Sequence, residues 1–304
     1  MKKSKSGNAK QIWKEIEEVL KVRNVSYQAF VSEYRGHAGK LAAEICAMDD
    51  NDICLVAVGG DGTANEVING ITDFEKVRFG VIPTGSGNDL ARGLSLSKDP
   101  KNGAIHILNA MKKSREDTWC MDLGEVNFGE KKRLFAISAG IGLDALVCKK
   151  ALKSTIKDIL NKIRLGKLTY LVLTVQSLFT MQTADAEIFF DREEGLQKKR
   201  MIFTAAMNFK AEGGGVPMAP AASACDGKLS FCEAAGIPKW RTFLCLPFLV
   251  AAKHTSIHGF SVTDAKDCTI RLSRPMVVHA DGEYCGEVTE VHFHCLPGKL
   301  RVLK

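Results

Sequence analysis

The sequence predicts two domains: an N-terminal α/β domain with a doubly wound parallel sheet and a C-terminal antiparallel β-sandwich with helical insertions. Up to residue 117, helical and strand patterns alternate, and strands such as Ile53–Val58 are continuous apolar runs. Strands of this kind are typical of parallel sheets covered on both faces. From Thr118 onwards, short strand patterns separated by turn residues dominate. We therefore expect domains at residues 1–117 and 118–304, with the last strand as a candidate to return to the first domain.

The elements of the N-terminal half follow from the spacing of apolar residues. Helical periodicity predicts helices around Ile12–Leu20 and Leu41–Met48. Pro100 suits the first turn of a further helix, because proline there lacks only an N–H group that has no helical partner. The strands predicted in this half are Tyr27–Val31, Ile53–Val58 and Val77–Ile82.

The second half is predicted to be mainly β. A helical stretch around Thr155–Phe179 interrupts the strand patterns. The predicted strands are Trp119–Val126, Arg133–Ala139, Ala186–Phe190, Met201–Met207, Leu229–Ala234, Thr269–Leu272, Met276–Ala280 and Val288–His294.

Composition narrows the class of partner and the compartment. The net charge of +7 favours anionic partners. No interleaving of basic and aromatic residues indicates nucleic-acid binding, so we expect no nucleic-acid partner. Ten cysteines are scattered without a CxxC pair, which is typical of reduced thiols in a cytoplasmic protein. The start of the chain is polar and basic rather than a signal peptide, and no apolar run reaches the roughly 20 residues of a membrane span.

The strongest local motif runs from Gly59 to Glu66, with the sequence GGDGTANE. It follows a buried strand and opens a helix, so its glycines allow a ligand to approach the backbone at a helix N-terminus. Thr63 and Glu66 have the spacing of a capping box. The pattern predicts an anion site, with an ordinary tight turn before a well-capped helix as the alternative.

A second loop of the same kind, PTGSGND at 83–89, follows the next predicted strand. In a parallel sheet both loops emerge at the carboxyl edge, where ligands bind. Two adjacent glycine loops carrying hydroxyl, amide and carboxylate groups suit a polyphosphate. The pattern is neither a Walker A loop, because no GxxxxGK[ST] is present, nor a Rossmann fingerprint.

These motifs together resemble the diacylglycerol kinase catalytic family, which includes bacterial lipid kinases and sphingosine and ceramide kinases. The segments GGDGT…NEV-NG and GVIPTGSGND-LAR carry the resemblance in the first half. The further matches are Gly36-His37-Ala38, Asp122-Leu123-Gly124, Ser138–Asp144, Gly213-Gly214-Gly215, Ala219-Pro220, Asp226-Gly227 with Leu229, and Asp281-Gly282-Glu283.

The chain departs from the family pattern near its start. Members begin with an apolar strand that ends in Asn-Pro-x-Ser-Gly, whereas this sequence has Ser4-Lys5-Ser6-Gly7 without such a strand. We expect the strand either to precede the given sequence or to be replaced within the sheet.

The resemblance implies an ATP-dependent kinase that transfers the γ-phosphoryl group to a lipid hydroxyl, such as that of diacylglycerol, with Mg²⁺ as the metal. Because Mg²⁺ prefers oxygen ligands and keeps several waters, one or two carboxylates suffice to hold it. The residues implied for ATP binding are Ser32, Gly59, Gly60, Asp61, Gly62, Thr63, Asn65, Glu66, Gly85, Ser86, Asn88 and Asp89.

Acidic residues supply the remaining roles. Asp281 and Glu283 end an apolar strand with a glycine between them, which gives both side chains room to face one cavity. The residue pattern alone leaves an acidic turn as the alternative, while the resemblance implies that one of the two acids is the proton acceptor. Asp61 is expected to act near the phosphates and the metal. The resemblance also implies that Asp226, with the backbone oxygens of Ser223 and Lys228, holds a structural Mg²⁺.

Contact with lipid is predicted at a membrane surface. Thr242–Ala252 is an apolar run with basic residues and Trp240 at its ends, which suits peripheral binding at the inner face of the membrane and equally suits a core helix. A lysine- and arginine-rich stretch at 149–167 is either a headgroup contact or a solvated face.

Several alternatives stay open on the sequence. An NAD kinase-type enzyme with a soluble substrate also uses a GGDG loop, and a non-catalytic lipid-binding protein could keep the same fold. His292, His294 and Cys295 raise a zinc site, which we do not expect because no second ligand pair follows at a usual spacing. The lipid is not identified, and the oligomeric state is open, with a homodimer as one alternative.

Overall fold

The computed structural model describes residues 6–48, 50–153, 166–191 and 194–304. The chain separates into two compact units. The first comprises Met1–Met121 with Gly298–Lys304, and the second comprises Asp122–Pro297.

The first unit is an α/β arrangement around a small parallel sheet. Its elements are α1 (Ser6–Val22), α2 (His37–Cys46), β1 (Ile53–Gly59), α3 (Asp61–Gly70), β2 (Val77–Pro83), α4 (Asp89–Gly93) and α5 (Pro100–Ala110). β1 and β2 run parallel with Gly59 opposite Pro83. The end of the last strand, β12 (Glu283–Val302), lies parallel to β2, with Val302 opposite Phe79. Every residue of β2 is buried, as expected for a strand covered on both faces.

Helices α1 and α5 pack on this sheet through apolar side chains. Ile16 of α1, Ile82 of β2, Ile107 of α5 and Leu303 are all buried in one cluster. Asp99 caps α5 by accepting a hydrogen bond from the Asn102 N–H group at 2.9 Å, and Pro100 stands in its first turn as predicted.

The predicted strand Tyr27–Val31 is wrong. The segment has no regular secondary structure, and Phe30 and Val31 are exposed. Tyr27 instead contacts α1, where its hydroxyl donates to Glu17 and its ring meets Trp13 edge-on. The β-branched and aromatic composition indicated a strand, but these side chains find partners on a helix rather than beside another strand.

The second unit is dominated by antiparallel strands. The elements are β3 (Trp119–Phe128), β4 (Lys131–Phe135), β5 (Ser138–Gly142), α6 (Leu143–Lys153), α7 (Gly166–Thr180), β6 (Ala184–Phe190), β7 (Leu196–Met201), β8 (Phe203–Met207), β9 (Leu229–Ala234), α8 (Lys239–Val250), β10 (Phe260–Ala265), β11 (Asp267–Ala280) and β12. The strand order is β12-β11-β5-β8-β9-β10. In addition, β6 pairs with β11, β7 pairs with β6, and β4 pairs with β3.

The predicted strand boundaries differ from the structure in several places. The predicted strands Thr269–Leu272 and Met276–Ala280 are one strand, β11, whose pairing with β12 is irregular between Arg271 and Met276. Pro275 lies in that stretch and cannot donate a ladder hydrogen bond. The predicted strand Arg133–Ala139 is split into β4 and β5. The predicted helix Thr155–Phe179 is seen as α7, whereas residues 154–165 lie outside the described part of the chain.

Among the residues that the structure describes, no helix combines the length and the apolar character needed to cross a membrane.

Candidate active site

The two glycine loops of the first unit touch through their backbones. The Thr84 N–H group donates to the Gly59 carbonyl at 2.8 Å, which ties the end of β2 to the end of β1. A Cβ on Gly85 would lie 2.7 Å from the Cα of Gly60, and one on Gly60 would lie 3.2 Å from the Cα of Gly85. Each loop therefore occupies the space that a side chain on the other would need.

Helix α3 begins without a capping side chain at its N-cap. The N-cap is Gly60, in extended conformation with φ −95° and ψ −175°. The predicted capping box is wrong, because Thr63 lies inside the first turn and covers Gly59, where an added Cβ would be 2.6 Å from the Thr63 side chain. Glu66 accepts a hydrogen bond from the Gly36 N–H group at 2.8 Å instead. The positive end of the helix dipole is thus not capped by the residue at its entrance, an arrangement that suits an anion.

Asp61 links the two loops. Its Oδ1 accepts a hydrogen bond from the Leu90 N–H group at 3.1 Å, so a carboxylate from the first loop caps α4 of the second. The second loop is closed by Asn88, which adopts a left-handed conformation with φ 53°. Its side-chain amide exchanges two hydrogen bonds with the backbone of Gly85, at 3.0 and 2.9 Å. These contacts fix the loop shape before any ligand binds.

Carboxylates flank the second loop. A Cβ on Gly87 would lie 3.0 Å from Asp61 Oδ2 and 3.7 Å from Asp89 Oδ2. Asp89 forms an ion pair with Arg92, which also donates to the Gly87 carbonyl at 2.9 Å. Ser86 is exposed at the tip of the loop. Acids beside exposed backbone groups are what a phosphate–magnesium complex requires, because Mg²⁺ takes hard oxygen ligands.

Two other residues predicted to contact ATP, Asn65 and Ser32, are less clearly connected with the glycine loops. Asn65 is only 1% exposed, so it lies below the surface of α3. Ser32 is half-buried in the irregular segment before α2. Helix α2 approaches α3 closely, because a Cβ on Gly70 would lie 2.1 Å from the Gly39 carbonyl oxygen. This close packing brings the start of α2 to Glu66. The structure thus gathers Gly59–Thr63, Glu66 and Gly85–Asp89, while Ser32 has no described contact with them.

In the second unit, Asp281 and Gly282 form a two-residue turn between β11 and β12. Ala280 pairs with Glu283, and both turn residues have positive φ, 47° and 79°. A type I′ hairpin turn requires this conformation, and Asp-Gly is one of its preferred sequences. The Asp281 N–H group donates to the Ser138 carbonyl at 2.8 Å, which fastens the turn to β5.

The two acids beside this turn have different surroundings. The Asp281 carboxylate accepts three backbone hydrogen bonds, from Ala136 at 2.8 Å, Ile137 at 2.8 Å and Ser138 at 3.1 Å. Three hydrogen bonds of this kind hold the carboxylate in a fixed position. Glu283 is partly exposed at the first position of β12. Asp281 thus anchors the turn to the backbone of residues 136–138.

A partly buried cluster that the sequence did not indicate lies next to the turn. It contains Asp144, Glu212 and His279, whose ligating atoms lie within 4.8 Å of one another. His279 Nε2 is 3.1 Å from Asp144 Oδ2, and the Gly282 N–H group donates to His279 Nδ1 at 3.2 Å. Burial lowers the pKa of His279, but the hydrogen bond to Asp144 and the charges of Asp144, Glu212 and Asp281 outweigh it and raise that pKa overall. The His279 ring that the sequence places in an apolar strand is thus part of a polar network.

The predicted structural metal site is an anchored Asp-Gly turn. Asp226 is exposed, and its Oδ1 accepts the Lys228 N–H group at 3.1 Å. The Gly227 N–H group donates to Asp122 Oδ2 at 2.7 Å, and Asp122 is buried. Ser223 lies with its hydroxyl 3.7 Å from Cys225 Sγ. The carboxylates of Asp226 and Asp122 flank Gly227, and oxygen donors of this type fit Mg²⁺. Asp122 was predicted only as part of a motif.

The strand histidines face an acid rather than Cys295. His292 and His294 stack with ring centroids 6.4 Å apart, and both contact Asp267 Oδ1, at 3.3 and 2.7 Å. Cys295 is buried, on the opposite face of the strand. The Thr269 hydroxyl is 3.0 Å from His292 Nδ1. Asp267, which contacts both histidines, was not predicted from the spacing in the sequence because it lies on the neighbouring strand.

Comparisons with known proteins agree with this fold and these loops. The diacylglycerol kinase catalytic domain matches residues 2–121, and the YegS C-terminal NAD kinase beta sandwich-like domain matches residues 138–304. The Bacillus subtilis protein YtlR, a candidate lipid kinase, is 30% identical over 97% of this chain and 94% of its own length. A diacylglycerol kinase of the same organism is 28% identical over 81% of this chain and 75% of its own.

Solved structures share the fold. A candidate diacylglycerol kinase from Bacillus anthracis superimposes with a TM-score of 0.75 at 21% identity, over 96% of this chain and 91% of that one. An NAD kinase from Archaeoglobus fulgidus, solved with ATP, superimposes with a TM-score of 0.52 at 14% identity, over 96% of this chain and 89% of that one.

Fold and loops thus define a kinase with an α/β nucleotide domain and a β-sandwich domain, which confirms the predicted fold class. The chain belongs to the bacterial diacylglycerol and lipid kinase family.

Proposed function

We propose that the chain is an ATP-dependent lipid kinase that transfers the γ-phosphoryl group to a lipid hydroxyl, such as that of diacylglycerol, at a membrane surface. The observation that carries the proposal is the pair of interlocked glycine loops, joined by Asp61, together with the acid pair at the β11–β12 turn.

The loops of the first unit suit the phosphates of ATP. Their glycines leave room for a ligand beside the backbone, and the N-cap of α3 has no capping side chain. Asp61 and Asp89 would hold Mg²⁺ against those phosphates, directly or through water, and Mg²⁺ when bound would neutralise charge on them. The proposed structural Mg²⁺ site is Asp226 with the backbone oxygens of Ser223 and Lys228, anchored through Asp122.

Glu283 is the proposed general base. A phosphoryl acceptor hydroxyl loses its proton during transfer, and a positioned carboxylate can accept it. The Asp281 carboxylate already accepts hydrogen bonds from three backbone N–H groups, and both acids are partly exposed. We therefore assign proton acceptance to Glu283 and anchoring of the turn to Asp281.

An exposed apolar surface on α8 is the proposed membrane contact. Thr242, Cys245 and Leu249 are buried along one side of this helix. The other side exposes large apolar side chains, which are Trp240, Phe243, Leu244 and Phe248. Phe179 of α7 extends this surface, with its ring 6.0 Å from that of Phe243.

Basic residues complete the membrane surface only in part. Arg241 and Lys253 are exposed at either end of α8, where they can meet anionic headgroups. Lys239 does not serve this purpose, because its ammonium group donates to the Met181 and Phe179 carbonyls at the end of α7. Of the basic stretch 149–167, residues 154–165 lie outside the described part of the chain. An apolar helix face with basic ends suits peripheral binding near the inner membrane face.

Activity is tested with purified protein, Mg²⁺ and labelled ATP against lipids in mixed micelles, with NAD as the soluble substrate. The proposal expects label in an organic-extractable lipid, lost at least 100-fold in Glu283→Gln, as is typical when a general base is removed. Glu290→Gln is the matched control, because Glu290 is an exposed acid on the same strand. Label on NAD alone would identify the soluble-substrate alternative, and no transfer would leave the lipid-binding alternative.

Membrane binding is tested by sedimentation with vesicles containing anionic lipid. Replacing Trp240 and Leu244 by serine should weaken binding by about tenfold for each side chain, because burying one such group contributes about 1.5–3 kcal/mol. Leu196→Ser is the control, since Leu196 is equally exposed but lies on β7. If the Trp240, Leu244 and Leu196 variants all bind vesicles as well as the wild type does, α8 is not the membrane contact.

A further inference from the structure

The turn that carries the two acids is held from behind by a buried histidine. His279 is 2% exposed and lies on β11, two residues before Asp281. Its Nδ1 accepts the N–H group of Gly282, and its Nε2 lies 3.1 Å from Asp144 Oδ2. One imidazole ring thus joins the middle of the turn to an acid in the first turn of α6.

We propose that His279 is a positioning residue for phosphoryl transfer, which holds Gly282 and so aims Glu283, while Asp144 holds the ring. This inference rests on the proposed function, because its catalytic meaning depends on Glu283 acting as the base. His279 touches neither substrate nor reacting atoms in this role.

The hydrogen bonds assign the tautomer of the ring. A nitrogen that accepts from Gly282 N–H carries no proton, so the proton of the neutral ring is on Nε2 and is donated to Asp144. A metal ion bound to Nε2 would leave the ring proton on Nδ1. Nδ1 could then no longer accept the hydrogen bond from the Gly282 N–H group. The geometry therefore points to a hydrogen-bonded positioning unit rather than a metal site at Asp144, Glu212 and His279.

The neighbouring strand makes room for this unit. Gly140 of β5 lies opposite His279. A Cβ at Gly140 would be 1.7 Å from Asp144 Oδ2 and 3.1 Å from His279 Nε2. The glycine is required there because the histidine–aspartate pair fills the space of its side chain.

A second set of contacts braces the same turn. The Ser138 N–H group donates to the Asp281 carboxylate, its carbonyl accepts from the Asp281 N–H group, and its hydroxyl donates to Glu212 Oε2. Asp281 and Gly282 are therefore held by separate partners, one through β5 and one through His279. Because Asp281 keeps its own contacts, loss of the His279 bond should loosen Gly282 and Glu283 without unfolding the hairpin.

Two substitutions of His279 separate the role of its Nδ1 atom from that of its Nε2 atom. Asparagine at this position places its side-chain oxygen near the site of Nδ1 and can accept from Gly282, whereas glutamine reaches towards Asp144 and leaves Gly282 unpaired. We expect His279→Asn to keep most of the turnover and His279→Gln to lose about 10- to 100-fold in kcat, with the KM for ATP unchanged. His258→Gln, at an exposed histidine, is the control.

Hydrogen exchange of the Gly282 amide and ¹⁵N NMR of the His279 ring are measured on the same proteins. The proposal expects slow Gly282 exchange in the wild type and in His279→Asn, fast exchange in His279→Gln, and a ring protonated at Nε2. A ring protonated at Nδ1, or equal exchange and kcat in both variants, would overturn it. If the wild type transfers nothing to lipid, the proposed function fails, while the NMR and exchange results still decide whether His279 holds the turn.

Discussion

Substituting each acid of the β11–β12 turn should separate an anchoring role from a catalytic one. Asp281→Asn keeps the side-chain size and suits the left-handed backbone at φ 47°, which asparagine tolerates well. The change therefore leaves the turn unstrained and acts on the hydrogen bonds alone. Glu283→Gln likewise preserves size, and both acids lie at partly exposed positions.

The expected loss of stability in Asp281→Asn follows from the three backbone N–H groups that donate to the Asp281 carboxylate, at 2.8, 2.8 and 3.1 Å. Hydrogen bonds to a charged group contribute about 1.5–3 kcal/mol each, and neutral ones about 0.5–1.5 kcal/mol. Asparagine offers one acceptor oxygen and turns an NH₂ group towards at least one backbone N–H. Because two bonds are weakened and a third is lost, we expect Asp281→Asn to lower the free energy of unfolding by about 3–5 kcal/mol. Glu283→Gln should stay within about 0.5 kcal/mol, as surface substitutions usually do.

The assay is urea unfolding followed by circular dichroism, combined with the lipid transfer assay. We expect a lower unfolding midpoint for Asp281→Asn, and an unchanged midpoint with lost transfer for Glu283→Gln. The reasoning would be refuted if Asp281→Asn unfolded within about 1 kcal/mol of the wild type, or if Glu283→Gln lost as much stability as Asp281→Asn.

Three further outcomes are expected. Gly85→Ala should raise the Kd for ATP at least tenfold by calorimetry, because its methyl group would lie 2.7 Å from the Gly60 backbone and force the loops apart. Gly140→Ala should lower kcat more than it raises the KM for ATP in the transfer assay, because its methyl group would displace Asp144 from His279. Because the pKa of His279 is raised above its usual 6.5, the protonated ring should stabilise the fold below about pH 6.5, and this gain should disappear as pH rises through the folded-state pKa. Protonation also removes the acceptor for Gly282, so transfer should fall with falling pH over the window in which stability rises.

Matched controls accompany these outcomes. Gly103→Ala tests the effect of a methyl group alone, because the nearest side-chain atom would be 3.5 Å away, at ordinary contact distance. It should bind ATP like the wild type, and a tenfold loss there would contradict the loop argument. For the pH dependence, His279→Asn should lack both the stability change and the transfer change. The acids that face this ring are Asp144, Glu212 and Asp281, and all three are present in both proteins that are compared.

The fold class and the positions of the glycine loops were predictable from the amino-acid pattern. Continuous apolar runs followed by glycines are typical of strands that end in a tight turn, so β1, β2 and both loops were predicted nearly to the residue. The Asp-Gly turn at Asp281 was also predictable, because few residues tolerate positive φ at two successive positions. By contrast, the strand at Tyr27–Val31 was wrong because composition cannot tell a strand from an extended segment packed on a helix.

The contacts of the polar side chains depend on how the chain folds and could not be predicted from the sequence. Asp61 caps a helix 29 positions further along the chain, and Glu66 binds Gly36 rather than its own helix N-terminus. Asp281 and Glu283 look alike in sequence, yet three backbone N–H groups from the segment 136–138 make one of them an anchor. His279 meets Asp144, 135 positions earlier in the chain, because β11 pairs with β5. Hydrogen bonds between residues so far apart depend on strand pairing and register, which leave no local pattern in the sequence.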